Sequence, residues 1–133
     1  MRTWNANKDL AGEIEIRGGF AYTSDGRMLA TTKVPYTEGK RYSHPIKAAP
    51  YAVIDYTNVK DITMRTIYDA EGMQIERIHP TDHGFVKNHP AGGHKHILQY
   101  DEEGKLVPRP KATPLSIEDW KKHFDILRRL LEQ

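Results

Sequence analysis

The chain has 133 residues, which is the length of one ordinary domain, and it contains no cysteine. The lack of cysteine excludes disulfides, thiolate metal sites and cysteine nucleophiles. The 20 Lys and Arg residues against 18 Asp and Glu leave a net charge of +2, which is too small to indicate nucleic-acid binding by itself. No apolar run approaches the roughly 20 residues of a membrane span and the amino terminus has no apolar signal core, so we expect a cytoplasmic protein with no membrane partner.

The first part of the chain predicts an arm followed by a β-hairpin. Residues 1–12 are polar and irregular, so we expect a flexible amino-terminal arm ahead of a single domain that covers residues 13–133. Apolar alternation over residues 14–22 predicts one strand with a bulge at Gly18-Gly19. Residues 28–34 then predict the return strand of the hairpin.

Three more strands are predicted in the middle of the chain. A proline-rich segment, residues 35–50, interrupts the pattern and is predicted to be an exposed loop. Strands are then expected at residues 51–56, 62–68 and 73–77. The last two are joined by a turn signal at residues 69–72, so they predict a second hairpin.

The last third of the chain predicts a loop, a strand and a helix. Residues 79–93 hold two prolines and three glycines and are predicted to be a loop, whereas residues 94–100 return to strand character. Ser116 is an N-cap signal, and it precedes an apolar stripe at helical spacing. The stripe is Ile117, Trp120, Phe124, Leu127 and Leu131. We therefore predict an α+β fold, an antiparallel sheet of about five to seven strands built from hairpins with one carboxyl-terminal helix packed on it by this stripe.

Histidine is concentrated in one segment. Five of the seven histidines lie between residues 79 and 96, at His79, His83, His89, His94 and His96. His94 and His96 are two apart on a predicted strand, so they project from one face with roughly 6–7 Å between their Cβ atoms. The Gly92-Gly93 pair before them allows a sharp turn and a close approach of a ligand to the backbone. The cluster is the candidate functional site.

Metal binding is the first chemistry that suits this cluster. Neutral imidazoles ligate zinc and similar divalent ions, and three protein ligands plus a water form a catalytic site. His94 and His96 with His83, or with His89, would supply the ligands. Asp82 would orient the ring of His83. The cofactor would be a divalent metal, with zinc favoured.

The second chemistry is metal-free acid–base catalysis. Histidines with a pKa near neutrality can act as base and acid on the 2′-hydroxyl and the leaving 5′-oxygen of RNA. The same four histidines, His83, His89, His94 and His96, would then be catalytic. Lys87, Lys95 and Arg77 would bind phosphate and stabilise the charge of the phosphorane.

A third interpretation involves no catalysis. The histidines would hold a structural metal, or contact a protein partner, in a binding or assembly protein. The isolated His44 and His123 are predicted to be structural under all three interpretations.

The order of motifs in this segment carries a resemblance. A Tyr-Asp-x-x-Gly turn precedes Thr81-Asp82-His83-Gly84, then His89-Pro90, then His94-Lys95-His96. Over residues 68–100 this order resembles Asp-His-Gly…His-Pro…His-x-His domains, which occur at the carboxyl-terminal ends of bacterial polymorphic-toxin proteins and in phage or mobile-element genes. The resemblance implies, by association, a nuclease that uses those four histidines. The start at Met1 favours a phage or mobile-element protein over a toxin tail, so we expect a small phosphodiesterase or ribonuclease-like domain whose partner is nucleic acid, with RNA favoured.

Overall fold

The computed structural model describes residues 14–40, 42–80, 93–108 and 112–132. Within these ranges eight strands form two sheets, which confirms the α+β class. The strands are β1 (Ile14–Arg17), β2 (Phe20–Thr23), β3 (Thr32–Val34), β4 (Val53–Thr57), β5 (Thr63–Tyr68), β6 (Gln74–His79), β7 (His94–Ile97) and β8 (Ala112–Pro114). They are followed by α1 (Ile117–Lys122), α2 (Phe124–Leu127) and a 3-10 helix (Arg128–Glu132). The predicted arm lies outside the described residues.

The main sheet contains six strands in the order β3-β4-β5-β6-β7-β8. Strand β3 lies parallel to β4, and the other four pairings are antiparallel. The predicted turn at residues 69–72 joins β5 to β6. Gly72 ends this turn with a φ of 79°, and a Cβ there would overlap the carbonyl oxygen of Ala48. A glycine is therefore required at this position, both by the backbone angle and by the close approach of the preceding segment.

The Gly18-Gly19 pair forms a turn, so the single bulged strand predicted over residues 14–22 is wrong. Both glycines have positive φ angles, 58° and 92°, which suit a two-residue hairpin turn. The chain reverses there, and Arg17 pairs with Phe20. The result is a separate two-stranded sheet, β1-β2.

The return strand predicted over residues 28–34 is also shorter than expected. Met28 makes only an isolated bridge to Tyr22, and its N–H donates to a carbonyl oxygen of α1. The side chains of residues 28–30 are all buried, so the alternation of a half-exposed strand is missing. Only β3 remains, and it pairs with β4 in the main sheet.

Both faces of the main sheet are covered by other parts of the chain. The face that packs on the helices buries the larger apolar cluster, which includes Val53, Ile67, Ile78, Ile126 and Leu127. The opposite face packs on part of the segment before β4, where Tyr42 and Ala48 contact a smaller cluster of Ala52, Ile54 and Tyr68. The segment predicted as an exposed loop is thus partly packed on the sheet.

The helix begins as predicted, but only part of the predicted apolar stripe packs on the sheet. The Ser116 hydroxyl accepts a hydrogen bond from the Asp119 N–H and the Asp119 carboxylate accepts one in return from the Ser116 N–H, a capping box. Helix α1 then ends at Lys122, with His123 outside helical geometry, and this break rotates the residues that follow. The predicted apolar stripe is confirmed only in part. Leu127 and Trp120 pack on the core, whereas Ile117 is 88% exposed and Leu131 is 68% exposed.

Buried charges explain which side of the helix faces the sheet. Arg65, on β5, is 0% exposed and makes a bidentate contact with Asp55 at 2.7 and 2.9 Å. It also donates to Asp125 at 2.8 Å and contacts Nδ1 of His123 at 3.0 Å. The guanidinium can be buried only with these partners, so it draws the α1–α2 junction onto the sheet.

Candidate metal centre

Three histidines meet where β6 ends and β7 begins. His79 lies directly opposite His94, and Arg77 lies opposite His96 in the same register. The ring centroids are 5.0 Å apart for His79 and His94, 4.9 Å for His94 and His96, and 5.2 Å for His79 and His96. One nitrogen from each ring lies within 4.8 Å of the other two. We call His79, His94 and His96 the histidine triad.

The triad fits a divalent metal by its donor chemistry and spacing. Nitrogens bound to one tetrahedral zinc at about 2.0–2.1 Å lie about 3.4 Å apart, so side-chain rotations suffice to bring the three rings to that spacing. The His94 ring is fully buried, whereas His79 and His96 are half-buried. A metal held here would therefore be anchored on the protein side and approachable from the other.

Gly93 allows the two strand ends to approach each other. Its φ of 98° lies in the region that favours glycine, and a Cβ there would lie 3.0 Å from the carbonyl oxygen of His79. The group that approaches Gly93 is thus the His79 carbonyl, and the expected approach of a ligand to this backbone stays a prediction; Gly92 lies outside the described residues. The rings of His79 and His94, on the two strand ends, are 11° from parallel.

A cation lies next to the triad on the same face. The Nε and Nη2 atoms of Arg77 both donate to Oε1 of Gln74, at 2.9 and 2.7 Å. Among the described residues no carboxylate pairs with Arg77, so its positive charge is available to a ligand. This is the position at which the sequence predicted a phosphate-binding group.

A cleft of about 300 Å³ extends from the triad across the sheet face. Its lining comes from the segment before β4 and from strands β5 and β6: Tyr42, Ser43, His44, Met64, Arg65, Thr66, Arg77 and His79. The cleft thus connects one member of the triad to the guanidinium of Arg77.

The structure brings together some of the predicted site residues and not others. His94 and His96 share a face as predicted. Asp82, His83, Lys87 and His89 lie in residues 81–92, outside the described residues. The sequence places His79 in the cluster but indicates no role for it, because its contribution depends on the pairing of β6 with β7. Alternation along β6 from Arg77 to His79 was the one signal in the sequence that places both on the same face.

Lys95, another predicted phosphate ligand, projects from the opposite face. It lies between His94 and His96 in the strand, so alternation directs it toward the helix. Its ammonium is 2.9 Å from an oxygen of Asp119 and 3.8 Å from one of Glu76. The structure does not bring Lys95 to the triad.

A second group of potential ligands surrounds that ammonium. Oxygen or nitrogen atoms of Glu76, Asp119 and His123 lie within 4.8 Å of one another. Lys95 already provides the positive charge that these carboxylates require, and burial together with the nearby Arg65 lowers the pKa of His123 to about 3. This group is an internal ion network that attaches the helix to the sheet.

No protein-family model and no curated protein matches the sequence, and no solved structure matches the fold. None of the helices in the described part of the chain has the length and apolar character needed to cross a membrane. The resemblance to Asp-His-Gly…His-x-His domains stays a prediction, and the geometry of the triad is the basis for assigning a function.

Proposed function

We propose that this protein is a divalent-metal-dependent hydrolase that cleaves phosphodiester bonds, with RNA the favoured substrate and zinc the favoured ion. The observation that carries the proposal is the convergence of three imidazoles, from His79, His94 and His96, on one sheet face. They lie beside a cleft large enough to admit part of a nucleotide. Three protein ligands with an open side are typical of catalytic zinc sites, whereas structural sites are closed by a fourth ligand.

The chain's own residues have distinct roles in this proposal. A bound ion would supply a water with a pKa near 7 and would polarise a phosphoryl oxygen. The buried His94 and the half-buried His79 and His96 would hold the ion, and the cleft that His79 lines would give a substrate access to it. Arg77, next to His96, would stabilise the negative charge that develops on the phosphoryl group.

A second candidate function is a binding or assembly protein in which the same ion is structural. The complete burial of His94 favours it, since structural ions are shielded from solvent. Because His79 ends β6 and His94 begins β7, an ion held between them would also fix the ends of the segment that connects these strands.

The full-length protein, loaded separately with Zn²⁺, Mg²⁺ or Mn²⁺, should cleave RNA or DNA oligonucleotides. His96→Gln and His94→Ala should abolish cleavage, and the metal-free His96→Gln protein should melt within a few degrees of the metal-free wild type. Lys105→Gln, on an exposed turn away from the triad, is the matched control and should keep full activity. Wild-type protein that cleaves neither substrate with any of the three ions contradicts the hydrolase. If an ion is bound and its removal unfolds the chain, the structural role is favoured instead.

A further inference from the structure

We infer that the cleft beside the triad is an oxyanion-binding subsite for a ligand of the phosphate class, held by His44 and Arg77. The inference deepens the proposed function and rests on it for the reaction that follows binding. The binding itself depends only on side chains of the cleft. His44 was predicted to be structural, and its position is the part of this site that the sequence did not indicate.

The segment that carries His44 is fixed to the sheet. The carbonyl oxygen of Pro45 accepts a 2.6 Å hydrogen bond from the Tyr68 hydroxyl and another, also of 2.6 Å, from Nε2 of Gln74. Tyr68 and Gln74 are both buried strand residues. The backbone next to His44 therefore has a defined position over β5 and β6.

Aromatic contacts fix the ring of His44. It packs edge-on against Tyr42, with centroids 5.2 Å apart, and against Tyr56 at 6.3 Å. Tyr42 and Tyr56 stack on each other at 4.9 Å. With its ring held by two aromatic neighbours, His44 forms part of the wall of the cleft.

Both ring nitrogens of His44 are buried, and within the described ranges neither has a hydrogen-bond partner. Buried polar atoms in proteins are nearly always paired, so an exception at the wall of a cleft indicates a site for a ligand atom. Burial, and then the charge of Arg77, lowers the pKa of His44, so the ring is neutral near pH 7 and offers one N–H donor. A phosphate oxygen is a suitable acceptor for it.

Arg77 supplies the charge that selects an anion. Its guanidinium lines the same cleft and is oriented by Gln74, with no carboxylate to neutralise it among the residues described. Gln74 is the common support, since its amide nitrogen holds the His44 segment and its oxygen holds Arg77. A fixed guanidinium beside a neutral N–H donor is an arrangement that favours phosphate over a cation or an uncharged ligand.

The test is a titration of inorganic phosphate into the metal-free full-length protein, followed by calorimetry and by the ¹⁵N resonances of the histidine rings. Binding should be saturable and should shift the His44 ring signals. Arg77→Gln should weaken it by at least about tenfold and His44→Gln by about threefold or more. Arg77→Lys, which keeps the charge and loses the planar contact, should retain part of the affinity. Arg17→Gln, on the separate hairpin, is the matched control and should bind as the wild type does.

Two outcomes would overturn the subsite: no saturable binding by a folded wild-type protein, or binding that both His44→Gln and Arg77→Gln leave unchanged. These are distinct from failure of the proposed function. Phosphate binding that depends on His44 and Arg77 in a protein that takes up no metal supports the subsite and contradicts the metal-dependent hydrolase. Conversely, the triad could take up metal while the phosphate affinity is the same in wild type, His44→Gln and Arg77→Gln. That result contradicts the subsite and still supports the metal centre.

Discussion

His79, the last residue of β6, lies directly across from His94, the first residue of β7, and the two rings stack with centroids 5.0 Å apart. The pairing of two strands thus brings together histidines separated by fourteen intervening residues, 80–93. His96 joins them because it lies two residues beyond His94 on the same face. The triad is therefore built on the ends of two sheet strands, which supports a fixed geometry.

The close approach at Gly93 gives the first prediction. Gly93→Ala places a side chain in a left-handed conformation and 3.0 Å from the His79 carbonyl oxygen, so we expect a loss of about 1–3 kcal/mol in the free energy of unfolding, with weaker metal binding. Gly104→Ala is the matched control, because Gly104 has a φ of 81° and an open surround. Urea unfolding measures both. Equal losses for the two variants would show that the backbone angle, and not the approach to His79, is responsible.

The ion network under the helix gives the second prediction. Lys95→Met removes the cation between Asp119 and Glu76 and leaves a buried carboxylate uncompensated, so we expect a loss of about 2–3 kcal/mol in the free energy of unfolding. Metal affinity of the folded protein should be unchanged, since Lys95 projects from the face opposite the triad. A Lys95→Met protein that unfolds as the wild type does but loses its metal would contradict this placement.

The buried His123 predicts a dependence of stability on pH. Its pKa of about 3 in the folded chain lies below the ordinary value of 6.5, so the unfolded state binds the additional proton between these values. The free energy of unfolding should therefore fall as the pH decreases from 7 toward 3, by about 2 kcal/mol from this residue between pH 7 and pH 5. Urea unfolding of the wild type and of His123→Gln at pH 7 and pH 5 isolates the effect. An identical pH dependence in the two proteins would exclude His123 as its source.

The packing of the carboxyl-terminal helix gives a contrast between two apolar residues. Leu127 is 0% exposed, so Leu127→Ala should cost about 2–5 kcal/mol in the free energy of unfolding. Ile117 is 88% exposed, so Ile117→Ala should change it by less than about 0.5 kcal/mol. Thermal or urea unfolding of the two variants checks the helix orientation. A large cost for Ile117→Ala would contradict this orientation and show that the amino-terminal end of the predicted stripe is also packed.

These contrasts show which parts of the fold local sequence signals can predict. The hairpin of β5 and β6 was predicted because residues 62–77 alternate around an Asp-Ala-Glu-Gly turn, and the helix start was predicted because Ser116 is an N-cap. The orientation of the helix on the sheet could not be predicted in this way, because it depends on two charged residues of the sheet. These are Lys95 and Arg65, which lie far from the helix in sequence.

The same reasoning applies to the candidate site. His94 and His96 could be paired from their spacing alone, whereas His79 joins them only through the register of β6 with β7. His44 had no local signal, because the hydrogen bonds that fix its segment come from Tyr68 and Gln74. Spatial neighbours set by long-range pairing leave little trace in a single sequence.

The central claim is that His79, His94 and His96 hold one divalent ion, and the most direct test is a calorimetric titration of Zn²⁺ into the metal-free full-length protein and into His79→Ala. We expect one tightly bound ion per wild-type chain and a loss of at least about tenfold in affinity for His79→Ala, with His44→Gln as a matched histidine control that binds zinc like the wild type. Wild-type protein that binds no zinc, or a folded His79→Ala protein that binds it with unchanged affinity, would contradict the claim.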